Sequence, residues 1–246
     1  MQLQYGACYA AFYGSGPPKE VRFLVRLASS LDFPGDLRVL DLGCGTGRMP
    51  GPLAALGWRV VGMDPQPDNL AEARRLAAST PGTVDVVPGG FADLDAANEF
   101  DLIVAAGGPW WYLLTPGERA DGLRRAYRAL CPGGVIVLDG ANFEWILDHY
   151  RAPEPSEATV DGVVVRRAPR HEIDLANRIL THVDTFSTPA AEAQLVMVHR
   201  LAIIGPDDVR SALSAAGFEH AEFYPGWSAT APSPPDGSRI IVVARR

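Results

Sequence analysis

The densest chemical signal in the sequence is the stretch Val39-Leu-Asp-Leu-Gly-Cys-Gly-Thr-Gly47. An apolar run carries an acid, Asp41, and continues into glycines at every second position, Gly43, Gly45 and Gly47. Glycine lets the backbone turn sharply and lets a ligand approach to van der Waals distance, and a following helix offers unpaired N–H groups. Such a turn suits a nucleotide-type cofactor. The dinucleotide fingerprint G-x-G-x-x-G needs its third glycine one residue later, and Arg48 stands there instead. No G-K-[ST] follows, so a phosphate loop of that type is excluded. Asp64 closes the next apolar run, where an acid accepts hydrogen bonds from both ribose hydroxyls, each worth about 1.5–3 kcal/mol when charge-assisted.

These residues need elements to hold them. In the first 35 residues, Tyr5, Tyr9, Phe12 and Tyr13 and then Val21, Leu24, Val25, Ala28 and Leu31 recur at helical spacing around a GSGPP break. From Leu37, short apolar runs alternate with amphipathic stretches. The runs Arg38–Leu42, Arg59–Met63, Thr83–Val87, Phe100–Ala105 and Gly134–Leu138 read as strands, and Arg48–Leu56, Pro67–Ala78 and Pro116–Leu130 as helices. Apolar strands alternating with helices imply a parallel sheet covered on both faces, a doubly wound α/β domain. After a helix at Phe143–Tyr150, the segments Thr159–Arg167, Arg170–Ala176, Ile179–Phe186 and Gln194–Ile204 follow one another without helical crossovers and predict antiparallel pairing. A helix at Pro206–Ala216, ended by Gly217, and strands near Phe218–Tyr224 and at Arg239–Ala244 then resume the frame, with SATAPSPPDGS as a surface turn.

The 246 residues, 47% hydrophobic and 21% charged, allow one large α/β domain with an addition. The expected division is a helical lid over 1–35, a cofactor domain over 36–150 and 206–246, and an antiparallel insertion over 151–205. The longest weakly polar run, Leu102 to Leu114, is broken by Gly107-Gly108-Pro109 and is too short for a bilayer, and the N-terminus lacks a signal-peptide pattern. A cytoplasmic protein is expected. Cys8, Cys44 and Cys131 are widely spaced and read as reduced thiols, giving neither a disulfide framework nor a zinc site. A net charge of −7 without basic blocks argues against nucleic acid and anionic membranes and for a small-molecule partner. A homodimer is compatible with this composition.

The pattern D-x-G-x-G-x-G with Asp64, and F-D-L-I-V followed by L-C-P-G-G-V-I-V-L, resembles the class I S-adenosylmethionine-dependent methyltransferases over about residues 37–140. The resemblance implies a seven-stranded Rossmann-like sheet and S-adenosylmethionine as cofactor. Gly43, Gly45 and Gly47 would underlie its methionine and ribose, with Asp41 near the amino group, Asp64 on the ribose and Pro65 on the adenine. Ala106, after strand four, would line the same site. The family's usual Gly-Asp after strand three is here Gly89-Gly90-Phe91-Ala92-Asp93. Recognition of the exocyclic amine therefore falls to the backbone at Ala92, to Asp93, or to nothing, while Phe91 would flank the base.

Tyr9-Ala-Ala-Phe-Tyr13, the stretch Gly107 to Leu114, the segment Asp139 to Leu147 and the insertion look like the branch of glycine, sarcosine and antibiotic-sugar N-methyltransferases. That likeness implies Tyr9 and Tyr13 close to the cofactor and Trp110, Tyr112, Asn142 and Trp145 facing the substrate. For Tyr9 and Tyr13, packing is the equal alternative; a tyrosine ring facing a sulfonium gains roughly 0.5–2 kcal/mol by cation–π attraction. Tyr9 thus joins His199 and His171 as a catalytic candidate, the two histidines as general bases. His182 and Asp184 share a strand face without indicating a metal site. Arg170 and Arg200 are the arginines expected to hold a substrate anion bidentately. An amine nucleophile needs no strong base, whereas a phenol or alcohol gains from one. The rival readings are a cofactor-fold protein that transfers no methyl group, such as a cyclase or binding module, and a nicotinamide oxidoreductase.

Overall fold

The computed structural model describes residues 3–13 and 19–246, with all side chains but those of 191–194. The expected GSGPP break, residues 14–18, lies outside the described residues. Two helices lead, α1 (Tyr5–Tyr13) and α2 (Lys19–Ser30). The frame follows as β1 (Arg38–Leu42), α3 (Pro50–Ala54), β2 (Arg59–Asp64), α4 (Pro67–Ala78), β3 (Thr83–Pro88), β4 (Phe100–Ala105), α5 (Pro116–Ala129) and β5 (Leu130–Ala141). Single 3-10 turns at Phe91–Asp93 and Pro109–Tyr112 follow β3 and β4. After α6 (Phe143–Asp148) come β6 (Ser156–Val160), β7 (Val163–Asp174), β8 (Ile179–Thr188) and β9 (Ala191–Ala202), then α7 (Pro206–Ala215), β10 (His220–Tyr224) and β11 (Arg239–Arg245).

The main sheet has seven strands in the order β10-β11-β5-β4-β1-β2-β3. Its first five strands are parallel, and β11 runs antiparallel to both β5 and β10. Strand order reverses beside β1, so the carboxyl ends of β1, β2 and β4 border the crevice where open α/β sheets bind ligands. Val39, Leu102, Val104, Val135 and Val137 face α2 and α3 on one side, and Leu40, Ile103, Ile136 and Leu138 face α5 and α7 on the other, all fully buried. Both faces are covered, which is why these strands read as continuous apolar runs. Local signals set the ends: Thr115 accepts from the amide of Glu118 while the Glu118 carboxylate accepts from the amide of Thr115, a reciprocal cap that starts α5.

The insertion is a separate four-stranded antiparallel sheet, β6-β7-β8-β9. Its inner face packs on α1, where Val160, Val165, Phe186 and Met197 bury Leu3 and Cys8. Phe12 meets Phe186 edge to face at 5.3 Å.

Two of the departures from the expected boundaries have a clear local cause. The helix read as Arg48–Leu56 begins only at Pro50, because Gly45 to Met49 are used up by the turn itself. The strands read as Thr159–Arg167 and Arg170–Ala176 are instead a hairpin turning at Asp161-Gly162, both with positive φ (49° and 79°), followed by a single long β7. Asp-Gly is the favoured pair for such a turn. Pro169, which normally interrupts a strand, is carried through opposite Asp184.

Candidate active site

The glycine loop is shaped by contacts that only glycine permits. Gly43 has φ +83°, and a Cβ there would fall 2.6 Å from Pro109. Gly47 has φ +86°, and its Cβ would fall 2.8 Å from the Cα of Ala73 on α4. Between them the amide of Gly45 donates to Asp64 Oδ2 at 2.9 Å, tying the loop to the end of β2. Asp64 Oδ1 accepts from the Gln66 amide (2.9 Å) and from Asn69 Nδ2 (3.2 Å).

A cleft of about 310 Å³ opens beside this loop, floored by Gly43, Asp64, Pro65, Asn69, Phe91 and Ala106. Tyr5 and Tyr9 of α1 close one side, and Tyr112 and His199 close another. A second cleft of about 690 Å³ meets it at Gly107 and is walled by Tyr13, Lys19, Glu20, Arg48, Trp227 and Arg239. A broader groove of about 1120 Å³ on the outer side of α1, along α4, is lined by none of the loop glycines.

The junction at Gly107 is held from beneath. Its amide donates to Asp139 Oδ2 at 2.7 Å, and Arg239 grips the same fully buried carboxylate with two nitrogens. Burial raises the Asp139 carboxyl in spite of that arginine. Glu20 and Arg48 form a second bidentate pair (2.6 and 2.9 Å), and its hydrogen bonds outweigh burial to keep Glu20 below the usual range. Asp41 has no such partner. Both its oxygens are buried and unpaired, and desolvation pushes its carboxyl up to about 7. Asn69 Oδ1 is likewise buried without a partner. A buried acceptor left unpaired costs roughly 1–3 kcal/mol, so these three atoms await hydrogen-bond donors.

Over the clefts, α1 presents a ladder of rings, Tyr5 on Tyr9 at 6.2 Å and Tyr9 on Tyr13 at 5.1 Å. Tyr9 also lies against Gly45. From the insertion, His199 points inward, its Nδ1 2.8 Å from the Tyr112 hydroxyl and its Nε2 buried without a partner. Burial, then the neighbouring His182, lowers its proton affinity; it is neutral at pH 7. Tyr13 donates to Asp184, which is fully buried. His182 Nε2 lies 3.0 Å from the same carboxylate, and the two bonds outweigh burial and hold Asp184 low.

The residues expected from sequence separate into groups. Gly43, Asp64, Pro65, Phe91, Ala106, Tyr9, Tyr112 and His199 line the first cleft, Tyr13 walls the second, and Gly45 and Gly47 shape the loop. Asp93 turns back to accept from the Gly90 amide at 2.9 Å, and it and Ala92 lie outside the lining. Five expected substrate contacts are placed elsewhere. Trp110 is fully buried, its indole N–H donating to the Arg119 carbonyl, because the 3-10 turn directs it into the core beneath α5. Asn142 caps α6 and donates to the carbonyls of Pro235 and Gly237. Trp145 stacks on His149 at 4.1 Å. Arg170 pairs with Glu172, and Arg200 is exposed; both lie on the sheet face opposite the histidines. His171 stands away from the cleft, bonded to His182 at 2.7 Å. Sequence reading missed Asn69, Gly107 and Asp139. Only Asp139, a charged residue in an otherwise apolar strand, gave a signal.

Residues 39–134 match the family described as "Methyltransferase domain". Among curated proteins, the ubiquinone biosynthesis O-methyltransferase of Bradyrhizobium diazoefficiens is 32% identical over 120 residues, 49% of this chain and 46% of that one. The Cereibacter sphaeroides protein of the same name is 43% identical over 122 residues, 47% and 45% of the two chains. The chain thus spans a little under half the length of the curated relatives it matches. Among solved structures, the sugar N-methyltransferase KedS8 from Streptoalloteichus sp. superposes with a TM-score of 0.77 at 23% identity, over 100% of this chain and 94% of that one. An S-adenosylmethionine-dependent methyltransferase from Clostridium acetobutylicum gives 0.78 at 16% identity, over 98% and 97%. Residues 39–134 thus match a methyltransferase domain, in a chain whose fold is that of solved S-adenosylmethionine-dependent methyltransferases.

Proposed function

We propose that this chain transfers a methyl group from S-adenosylmethionine to a nitrogen or oxygen atom of a small molecule. The observation that carries the reading is the pair of buried, unpartnered acceptors, Asp41 behind the glycine loop and Asn69 in the first cleft, beside a carboxylate, Asp64, at the end of β2. An amino-acid ammonium and a ribose diol offer the donors these atoms lack, so the residues fit the cofactor. Gly43 and Gly45 would underlie it, Asp64 would hold the ribose, and Phe91 and Pro65 would flank the base. Asp93 is engaged with Gly90 and leaves the adenine edge to the backbone.

When bound, the cofactor supplies a methyl group already activated on a sulfonium. The protein then has to align the acceptor and exclude water, and alignment alone can contribute roughly 7–11 kcal/mol. Tyr9 and Tyr13 roof the clefts, and the second cleft, open at Gly107 onto the first, receives the acceptor. His199, neutral and with Nε2 free, takes the proton of an oxygen nucleophile. The lid (1–35) and the insertion (151–205) choose the acceptor, and the frame (36–150 and 206–246) holds the cofactor. The names of the relatives, sugar N-methyltransferase and ubiquinone O-methyltransferase, support both nucleophile classes.

The test is calorimetric titration with S-adenosylmethionine and S-adenosylhomocysteine, followed by a screen of aminosugars and phenols that follows S-adenosylhomocysteine release. Binding of both ligands and turnover of one acceptor class is expected. Absence of binding by either ligand would turn the reading towards a fold that has lost the activity.

A further inference from the structure

Three histidines stand side by side on the inner face of the insertion. His171 on β7 is in register with His182 on β8, which is in register with His199 on β9. Two of them are joined in a longer chain. The lid's Tyr13 hydroxyl bonds Asp184 and lies 3.2 Å from His182 Nε2. His182 Nδ1 is 2.7 Å from His171 Nε2, and His171 Nδ1 is 3.4 Å from the hydroxyl of Tyr150, an exposed residue. The chain therefore runs from the wall of the second cleft to solvent. It crosses a buried carboxylate and uses both nitrogens of each imidazole, the arrangement that lets a proton enter at one end and leave at the other. The other groups facing it are Arg167, stacked over Tyr13 at 5.3 Å and 3.3 Å from Asp184, Tyr9, with its ring 5.1 Å from that of Tyr13, and His199, with its ring 6.0 Å from that of His182.

An amine reaches its enzyme at neutral pH mostly as an ammonium, whose nitrogen has no lone pair to offer. We propose that Tyr13, Asp184, His182, His171 and Tyr150 form a relay that removes this proton and makes the chain competent towards amine acceptors. The inference rests on the methyl-transfer reading above. The acceptor's N–H bond breaks as its proton moves to Tyr13 Oη, and the former hydroxyl proton of Tyr13 passes to Asp184. Asp184 keeps that proton, and the His182 imidazolium paired with it, its Nε2–H still on the carboxylate, releases its Nδ1 proton to His171 Nε2 while His171 releases its own Nδ1 proton through Tyr150 to water. One proton enters, one leaves, no electrons are exchanged, and the freed nitrogen lone pair attacks the methyl carbon. His182 and His171 act through Tyr13 and are relay residues.

The first measurement uses the protein alone. Imidazole ¹⁵N NMR from pH 5 to 9 should show the His171 midpoint displaced by His182→Gln, by Tyr13→Phe and by Asp184→Asn. A His171 midpoint unmoved by all three substitutions would overturn the relay. The second measurement takes the aminosugar turned over in the acceptor screen. His171→Asn should lower kcat at least tenfold below pH 7 and move the acid limb of the profile upward, leaving the KM for S-adenosylmethionine within about twofold. A wild-type profile in His171→Asn, or turnover of phenols alone, would defeat the proposal. If no acceptor is turned over, methyl transfer itself fails, and the relay is decided by the titration.

Discussion

Tyr13, in the last turn of the lid helix, gives its hydroxyl hydrogen to Asp184 in the middle of the insertion, 171 positions along the chain. Two segments outside the main sheet, the leading helix and the four-stranded sheet, are thereby joined over the clefts. Replacing Tyr13 by Phe keeps the ring contacts with Tyr9 and removes the bond. A hydrogen bond to a charged group contributes about 1.5–3 kcal/mol, some of which His182 retains by its own contact with the carboxylate. Tyr13→Phe should therefore cost about 1–2 kcal/mol in urea unfolding and raise the proteolysis rate within α1.

Asp41 gives a pH dependence of definite sign. Its folded pKa, about 7, lies above the roughly 3.9 of an unfolded aspartate. Between those values the folded state keeps a proton the unfolded chain has released. Ionising Asp41 therefore penalises the fold increasingly as pH rises from 4 to 7, and the penalty is complete above 7. Asp41→Asn should leave unfolding at pH 4 nearly unchanged and stabilise the free protein at pH 8 by about 2–4 kcal/mol. The same variant should bind S-adenosylmethionine at least tenfold more weakly, separating the two effects by calorimetry.

Gly90 is an opportunity for gain of affinity. Its φ of −147° is accessible to any residue, and nothing lies within 4 Å of where its Cβ would sit. An aspartate there would stand at the edge of the first cleft and would restore the Gly-Asp pair expected from the resemblance. Gly90→Asp should fold normally and tighten S-adenosylmethionine binding about tenfold, in line with a charge-assisted hydrogen bond. An unchanged dissociation constant would show that the adenine edge lies elsewhere.

His199 separates the two nucleophile classes. Its proton affinity is lowered by burial, so its neutral form persists below pH 6.5 and the acid limb of any oxygen methylation should lie there. His199→Gln should reduce turnover of a phenol or alcohol tenfold or more and leave an amine within about threefold. Tyr112→Phe, which frees His199 Nδ1, should move that limb without abolishing the reaction.

The cofactor side of this site was legible because it is built from consecutive residues. Gly43 to Gly47 and Asp64 lie at strand ends that apolar periodicity locates, and the positive φ angles and close approaches at Gly43 and Gly47 explain why glycine is required. The opposite wall of the first cleft brings together α1, the turn after β4 and β9 of the insertion, so it depends on register. Whether His171, His182 and His199 form one row follows from pairings across the strands that neither composition nor spacing fixes. Trp110 and Asn142 were misplaced for a local reason. A 3-10 turn rotates Trp110 under α5, and a helix start claims the Asn142 side chain. His182 with Asp184 was legible as a shared strand face, but its partner on α1 was not.

The roof over Gly45 is Tyr9, carried by α1, and α1 is fastened to the insertion through Tyr13 and Phe12. On the proposed methyl-transfer reading, the spent cofactor beneath that roof would leave as those fastenings part, so the contacts that close the clefts would also set how often the site resets. Strengthening them would trade turnover frequency for commitment of each bound molecule to reaction.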